Sequence, residues 1–234
     1  MSDPAPAPAP APGSAPARVV PDGDAARAEA TELLRAGHVV AIPTDTVYGI
    51  AADMALPDAI ERLFAAKQRP PEKAVAVLLA DVDQAWELGI RTPAAQALGE
   101  RFWPGGLTLV LERRPDVVLP RILAAGLPTV GVRVPNHDAP RAIARVLGPL
   151  PTTSANLSGR PDARDAREVA EILGASAVAL VLDGGPTSGG PASTVVDCTR
   201  EIPVILREGA IPAADIAHTL ESHGIPHAIE PAQP

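Results

Sequence analysis

The side chains best suited to bind a polar ligand follow a short apolar run near the start of the chain. In the stretch VAIPTDTVYG this run stops at a proline, and Thr44, Asp45 and Thr46 come next. Tyr48 and Gly49 complete the predicted loop. A hydroxyl-rich loop directly after a strand suits a small polar molecule, since functional groups often lie on loops that a rigid scaffold positions.

A group of cations follows at the end of a predicted helix over residues 58–68. Apolar residues recur there at the spacing of one helix face, and Lys67 extends that face, which is an unusual place for a solvated lysine. Arg69 and Lys73 lie just beyond it. Taken alone, these charges could simply complement the helix dipole. Next to the hydroxyl loop, they are what is needed to hold a polyphosphate.

Two further arginines belong to apolar strands. Arg133 interrupts the run VGVRVP, and Arg207 ends the run PVILRE. A buried charge is costly unless it is paired or faces a polar cavity. One interpretation is a structural ion pair. The other is a clamp in which the guanidinium binds a carboxylate or phosphate, and for Arg133 we favour the clamp, with no carboxylate of the protein paired to it.

A third polar cluster consists of Thr152, Thr153, Ser154 and Asn156. Such side chains in loops usually bond to their own backbone, and binding of a ligand is the alternative. The glycine-rich residues 183–190 could form a backbone nest for an anion. They lack the GK[ST] sequence of a P-loop, so an ordinary loop is the better interpretation.

Composition excludes several classes of function. A formal net charge of −8 argues against a protein that coats nucleic acid by bulk charge. The single cysteine, Cys198, excludes an internal disulfide framework and a cysteine zinc site. Its place in the run STVVDCT predicts a buried apolar residue, not a nucleophile. No GxSxG, HExxH, CxxC or GxGxxG motif occurs.

The sequence predicts one domain after a disordered tail. Residues 1–17 are mainly Ala and Pro with hardly any charge, and residues 18–234 suit a single domain. Hydrophobic residues make up 46% of the chain and aromatics 2%, so the core must consist of Ala, Val, Leu and Ile. No secretory signal or membrane span is recognised, and we expect a cytoplasmic protein.

Strands and helices mix without strict alternation, which predicts an α/β fold with a mixed parallel and antiparallel sheet. The predicted strands cover residues 38–42, 74–80, 107–112, 129–135, 177–183, 193–199 and 203–208. The predicted helices cover residues 23–36, 58–68, 81–88, 93–101, 137–147 and 212–222, with one more opened by the capping box of Asp165 and Glu168. Residues 151–161 are predicted to form a loop.

Seven segments together resemble one family, the YrdC/Sua5/TsaC family of threonylcarbamoyl-AMP synthases. They run in the family's order from about residue 40 to 209: PTDTVYGIAA, AAKQRPPEK, FWPGGLTLVL, TVGVRVP, PTTSANLSG, DGGPTSGG with ASTVVD, and ILREG. The resemblance implies a twisted mixed sheet flanked by helices around a central cationic cavity. It also implies a cytoplasmic nucleotidyltransferase that makes threonylcarbamoyl-AMP and pyrophosphate from L-threonine, bicarbonate and ATP, usually with Mg²⁺. The product would pass to the tRNA threonylcarbamoyl transferase machinery for t6A modification.

The resemblance also implies roles for individual residues. Contacts with the substrate threonine are implied for Thr44, Arg133, Thr153 and Ser193. Contacts with ATP are implied for Lys67, Arg69, Ser154, Asn156 and Arg207. Lys67 and Arg69 match the K-x-R motif and are the implied catalytic residues. No residue is implied to ligate a metal, since phosphate oxygens would hold most of the Mg²⁺.

The chain departs from the family pattern at three places. Lys73-Ala74-Val75 stands where the family often has Lys-Pro-Leu, Gly106 replaces the last proline of a WPGP turn, and GGPAST lacks a glutamate before the serine. Because little follows Arg207, the chain resembles the short form of the family, without an extra C-terminal domain.

The implied reaction needs no protein nucleophile. An N-carboxylate of threonine would attack the α-phosphorus of ATP, so the site must neutralise two anions and position them. Two other classes of function stay open: an RNA-binding module of the YrdC type, with weak RNA binding, and a nucleotide-binding sensor without turnover. The acidic charge and the scarcity of aromatics argue against the RNA module.

Overall fold

One mixed sheet of ten strands forms the centre of the part of the chain that the structure describes. The computed structural model describes residues 16–187 and 190–228. The strands are β1 (Val19–Pro21), β2 (Val40–Ile42), β3 (Gly49–Ala51), β4 (Ala76–Leu78), β5 (Leu107–Glu112), β6 (Thr129–Arg133), β7 (Leu150–Ser154), β8 (Leu180–Asp183), β9 (Thr194–Asp197) and β10 (Val204–Arg207). Their order is β1-β8-β2-β3-β7-β4-β6-β5-β9-β10. The sheet contains both parallel and antiparallel pairs, as the mixed order of predicted strands and helices indicates.

Helices connect many of the strands along the chain. Within the described residues they are α1 (Asp24–Arg35), α2 (Pro57–Lys67), α3 (Val82–Leu88), α4 (Pro93–Phe102), α5 (Asp138–Leu147), α6 (Ala166–Leu173) and α7 (Ala213–Ser222). Each predicted helix is present, with its ends within a few residues of the prediction. No helix of the described residues is long and apolar enough to cross a membrane.

The sheet buries apolar side chains on both faces. Along β8, Leu180 and Leu182 belong to a cluster with residues of α1 and α5, whereas Val181 belongs to the larger cluster on the other face. This alternation follows from the two-residue period of a strand. The α1 and α5 helices pack against each other and cover one face, represented by Leu34 and Ile143.

The face covered by α1 and α5 stays open over β6, β5 and β9, and this positions the site. On β4, Leu78 lies in the α1–α5 cluster, and it pairs with Arg133 of β6, which therefore points to the same face. On β7, Leu150 lies in that cluster while Thr152 and Ser154 continue the same face beyond it. The side chains that the helices leave uncovered include those of Arg133, Thr152 and Ser154, which line a cavity.

The structure corrects the prediction of a loop at residues 151–161. Leu150–Ser154 is a central strand, paired antiparallel to both β3 and β4. Threonine is β-branched and fits a strand well, and the turn-forming serine and asparagine concealed this preference. Gly49, expected in a loop, begins β3, and the short edge strand β1 was not predicted.

Capping agrees only in part with the prediction. We expect α5 to begin through Asn136 or Asp138, but His137 caps it, because its Nδ1 accepts from the Ala139 amide at 3.1 Å. The Asp165 carboxylate accepts from the Glu168 amide at 2.9 Å, as the capping box predicts.

The predicted disordered tail, residues 1–17, lies outside the described residues except at its end. Ala17 is buried, and its amide donates to the Ala170 carbonyl at 3.3 Å. Ala17, the last residue of the predicted tail, therefore packs against the domain. Cys198 is fully buried, and burial raises the pKa of its thiol to about 12, which agrees with an inert core residue.

Candidate functional site

The hydroxyl of Thr44 closes the loop between β2 and β3. Its Oγ1 donates to the Val47 carbonyl at 2.7 Å and accepts from the Thr46 amide at 3.2 Å. Threonine often fixes a turn in this way. The proton of the Thr44 hydroxyl is therefore used inside the loop, and a contact with a bound amino acid, which stays a prediction, would not involve that proton.

Arg133 forms a buried ion pair with Asp45. Its Nη2 lies 2.7 Å from Asp45 Oδ1, Nη1 donates to Thr46 Oγ1 at 2.9 Å, and Nε donates to the Gly105 carbonyl at 2.9 Å. The Arg133 side chain is only 6% exposed, and burial lowers its pKa while Asp45 opposes that shift. The expectation that no carboxylate of the protein pairs with Arg133 is wrong. Asp45 lies in the loop between β2 and β3, far from β6 in the sequence. The sequence around Arg133 therefore could not reveal this partner.

The same arginine keeps capacity for a ligand. A guanidinium has five N–H groups, and the contacts with Gly105, Thr46 and Asp45 use three of them. Arg133 also lines the cavity described below. Its role as a clamp for a substrate carboxylate stays a prediction. In that role the guanidinium would keep its ion pair with Asp45.

Lys67 is buried at the end of α2, as the helix pattern indicates. Its ammonium donates to the Ser154 carbonyl at 2.7 Å, to Ser154 Oγ at 2.5 Å and to Asn156 Oδ1. These acceptors are neutral. Burial and the charge of Arg69 lower the pKa of Lys67 to about 8, against an ordinary value of 10.5, and exposed Asp162 opposes the shift.

Arg69 and Arg207 are held by carbonyl groups. Arg69 donates from Nε to the Lys73 carbonyl at 3.0 Å and from Nη2 to the Ala74 carbonyl at 2.6 Å. Arg207, on the exposed edge strand β10, donates from Nη2 to the Ser193 carbonyl at 2.8 Å. Burial lowers the pKa of both guanidiniums, and their mutual repulsion lowers that of Arg69 further. Each keeps its full charge at neutral pH, because arginine is not deprotonated in proteins.

These groups surround a cavity of about 370 Å³. Of the residues predicted to bind substrates, those that line it are Thr44, Arg69, Arg133, Thr153, Ser154, Ser193 and Arg207. Lys67 and Asn156 do not line the cavity themselves. Both bond to the hydroxyl of Ser154, which does line it. Among the described residues of the lining there are three arginines and no carboxylate. The rest of the wall is mainly apolar and comes from the segments near residues 74–78, 119–131 and 192–206.

The cavity also holds one hydroxyl that the sequence did not single out, that of Thr108. Thr108 Oγ1 lies 2.9 Å from Ser193 Oγ. Thr152 donates to the Leu150 carbonyl at 2.9 Å, so its proton is used by the backbone. A polar residue inside the apolar run LTLVLE is the only signal that Thr108 gives in the sequence.

The glycine-rich loop after β8 uses its amides internally where the structure describes it. The Gly184 amide donates to Tyr48 Oη at 3.2 Å, and the Gly185 amide donates to Asp183 Oδ1 at 2.9 Å. Tyr48 Oη in turn donates to the Gly185 carbonyl at 2.7 Å. These amides are not available as an anion nest, and Gly189 lies outside the described residues.

Known proteins share this sequence and architecture. The model of the Sua5_yciO_yrdC family, described as "Telomere recombination", matches residues 32–209. The chain is 45% identical over 186 residues to "Threonylcarbamoyl-AMP synthase" of Bacillus subtilis (strain 168), which covers 79% of this chain and 53% of that protein. It spans about half the length of the first curated relatives that it matches, 53% and 55%.

Two solved structures have the same fold. The crystal structure of P. abyssi Sua5 complexed with L-threonine aligns with a TM-score of 0.79 at 36% identity, over 87% of this chain and 60% of that chain. The crystal structure of E. coli YciO aligns with a TM-score of 0.74 at 27% identity, over 84% of this chain and 96% of that chain.

We predict that Arg133→Lys lowers the free energy of unfolding by about 1–3 kcal/mol, because a point charge cannot replace the three directed bonds and leaves Asp45 poorly paired. Urea unfolding measures this. Arg114→Lys is the matched control, since Arg114 pairs with Asp116 at 3.0 Å on the surface. Its midpoint should stay unchanged. Equal midpoints for wild type and Arg133→Lys would contradict a stabilising role of the ion pair.

A second prediction concerns the pH dependence of anion binding. With a pKa of about 8, Lys67 loses its proton as the pH rises through 8, so its attraction for a phosphate is present below pH 8 and lost above it. ADP affinity, measured by calorimetry from pH 7.5 to 9.5, should fall and approach that of Lys67→Met, whose affinity should be about tenfold lower at pH 7.5 and nearly constant. Tyr48 and Cys198 have pKa values raised to about 12 and do not titrate in this range. A pH-independent wild-type affinity would show that Lys67 does not sense the ligand.

Proposed function

The chain belongs to the Sua5/YciO/YrdC family, and from this membership we propose that it is a threonylcarbamoyl-AMP synthase. In the proposed reaction, the neutral amine of L-threonine combines with bicarbonate, with loss of water, or with CO₂, with loss of a proton, to give an N-carboxylate. This carboxylate attacks the α-phosphorus of ATP, the bond to the β-phosphate oxygen breaks, and pyrophosphate leaves. The enzyme would thus be a nucleotidyltransferase.

The observation that carries the proposal is the charge of the cavity wall. Three arginines line it, and no carboxylate does so among the described residues. A carboxylate and a triphosphate repel each other, and fixed cations in a partly enclosed site offset that repulsion most effectively. A cavity of this kind suits a reaction in which two anions meet.

The position of each cation suggests its task. Arg133 has two N–H groups left and lies beside the hydroxyl loop, which suits the carboxylate of threonine. Arg69 and Arg207 line the same cavity and their charges repel each other, which suits a site where one polyphosphate lies between them. Lys67, reached through Ser154, would add its charge from behind the wall. We propose that Ser154 and Asn156 orient this ammonium, and that Thr153 faces the amino acid.

We propose that Mg²⁺ accompanies ATP and is held mainly by phosphate oxygens. Magnesium prefers oxygen ligands and keeps several waters, so it needs no protein cage when a triphosphate is present. The described residues contain no cluster of three or more His, Cys, Asp or Glu side chains that could hold a metal. This donor set fits a metal that arrives with the nucleotide. Bound there, Mg²⁺ would neutralise part of the triphosphate charge.

We further propose that the protein acts in the cytoplasm and supplies threonylcarbamoyl-AMP to the transferase that modifies tRNA. A mixed anhydride of this type hydrolyses readily, so a consuming enzyme must follow. The two other classes of function, an RNA-binding module and a nucleotide sensor without turnover, remain as outcomes of the test.

The purified protein should release pyrophosphate from ATP and Mg²⁺ only when L-threonine and bicarbonate are both present. Mass spectrometry of the mixture should detect threonylcarbamoyl-AMP. The Arg207→Met variant should lose at least tenfold in kcat/KM, because the phosphate loses a charge-assisted contact. Arg114→Met, which changes an exposed arginine outside the cavity, is the control and should keep wild-type activity.

Pyrophosphate release that is independent of threonine would contradict the proposal. ATP binding without any turnover would favour the sensor. RNA binding without ATP, with a steep dependence on salt, would favour the RNA module.

A further inference from the structure

Thr108 and Ser193 form a hydroxyl pair on the floor of the cavity. Their oxygens lie 2.9 Å apart, both side chains are buried, and both line the cavity. Ser193 precedes β9, whose parallel register with β5 places Thr108 beside Val195. The two-residue period then puts the side chains of Thr108 and Ser193 on the same open face of the sheet.

The same strand register places Thr108 next to Arg133. The antiparallel pairs of β5 and β6 include Leu109 with Val132, and one further step pairs Thr108 with Arg133. A Cβ built on Gly131 would lie 3.7 Å from the methyl carbon of Thr108, so the methyl group points towards β6 while the hydroxyl points towards β9. Thr108 therefore lies between the proposed carboxylate clamp and Ser193.

The protons of this pair can be counted. Two hydroxyls carry two protons, and one of them is used in the bond between Thr108 and Ser193. Arg207 Nη2 lies 3.2 Å from Ser193 Oγ and donates to it. Either hydroxyl could donate in the bond between them. We assign Ser193 as the donor to Thr108, because a hydroxyl that accepts a bond from a cation becomes the better donor. The proton of Thr108 is left over, and among the described residues no further acceptor contacts it.

Three other hydroxyls of the wall, those of Thr44, Thr46 and Thr152, are used by the protein. Thr44 donates to Val47, and Thr152 donates to Leu150. Thr46 accepts from Arg133 and lies 3.2 Å from Thr44 Oγ1, to which it can donate. Thr108 is thus a polarised donor at the end of a chain that runs from Arg207 through Ser193.

We propose that Thr108 is a specificity-determining residue that donates its hydroxyl proton to the side-chain oxygen of a β-hydroxy amino acid. The inference rests on the proposed function and deepens it. Neighbouring strands are roughly 4.8 Å apart. An amino acid whose carboxylate lies on Arg133 can therefore place its side chain over β5, within reach of Thr108. An analogue without the hydroxyl leaves a buried donor unsatisfied and is rejected.

The test compares L-threonine with its isostere L-valine in wild type, Thr108→Val and Thr108→Ser. Calorimetry gives both dissociation constants without turnover, and kcat/KM for pyrophosphate release gives a second readout. Thr108→Val should bind L-threonine about tenfold more weakly, with L-valine unaffected or bound more tightly. Thr108→Ser keeps the donor and should restore the threonine-to-valine ratio. Thr219→Val, which removes a buried hydroxyl that bonds to Asp215 in α7, is the control and should keep the wild-type ratio.

The outcomes separate the two claims. An unchanged threonine-to-valine ratio in Thr108→Val overturns the inference. If both affinities fall equally, Thr108 has a merely structural role. A wild type that binds L-threonine selectively but releases no pyrophosphate contradicts the proposed function only, and the binding ratios then still decide the role of Thr108. A wild type that neither binds nor turns over L-threonine overturns both.

Discussion

Positive charge held by neutral groups is the feature on which the other properties of this cavity depend. Lys67 is fully enclosed by the carbonyl and hydroxyl of Ser154 and the amide of Asn156, and Arg69 and Arg207 are held by backbone carbonyls. Charge that lacks a carboxylate partner is costly to keep out of water. A protein can retain such charges only if its scaffold fixes the acceptors, and the cost is recovered when an anion binds.

The sheet supplies these acceptors because its two faces are covered unequally. The α1 and α5 helices bury Leu78 and Leu150, and the strands that carry these residues continue past the helices into the open face. There the backbone of β7 and of the segment before β9 presents carbonyls to Lys67 and Arg207. Within residues 16–187 and 190–228, Arg133 is the one cavity arginine with a carboxylate partner, Asp45, and the same loop contributes the hydroxyl of Thr46. The same strands therefore carry core residues where the helices cover them and cavity residues where the helices end.

Much of this could be predicted from the sequence, for reasons that are specific to each element. The burial of Lys67 follows from helix periodicity, and the strand at residues 107–112 follows from a continuous apolar run. The strand β7 was missed because Ser154 and the following Asn156 favour loops locally and concealed the strand preference of the two threonines, and a sheet partner on each side outweighed the loop preference. The ion pair of Asp45 with Arg133 joins residues 88 positions apart. The pair of Thr108 with Ser193 joins residues 85 positions apart. Neither pair can be inferred without the order of the strands.

The most direct test of this account measures melting temperature with and without inorganic pyrophosphate. Arg207 lowers the pKa of both Arg69 and Arg133 by repulsion, so Arg207→Met should leave the empty protein as stable as wild type or more stable, and should abolish most of the stabilisation by pyrophosphate. Arg27→Met removes an arginine paired with Asp22 at 2.7 Å and should do the reverse: it lowers the melting temperature and keeps the pyrophosphate shift. A clear loss of stability in Arg207→Met, together with an undiminished pyrophosphate shift, would contradict the claim that the cations of the cavity are held ready for an anion.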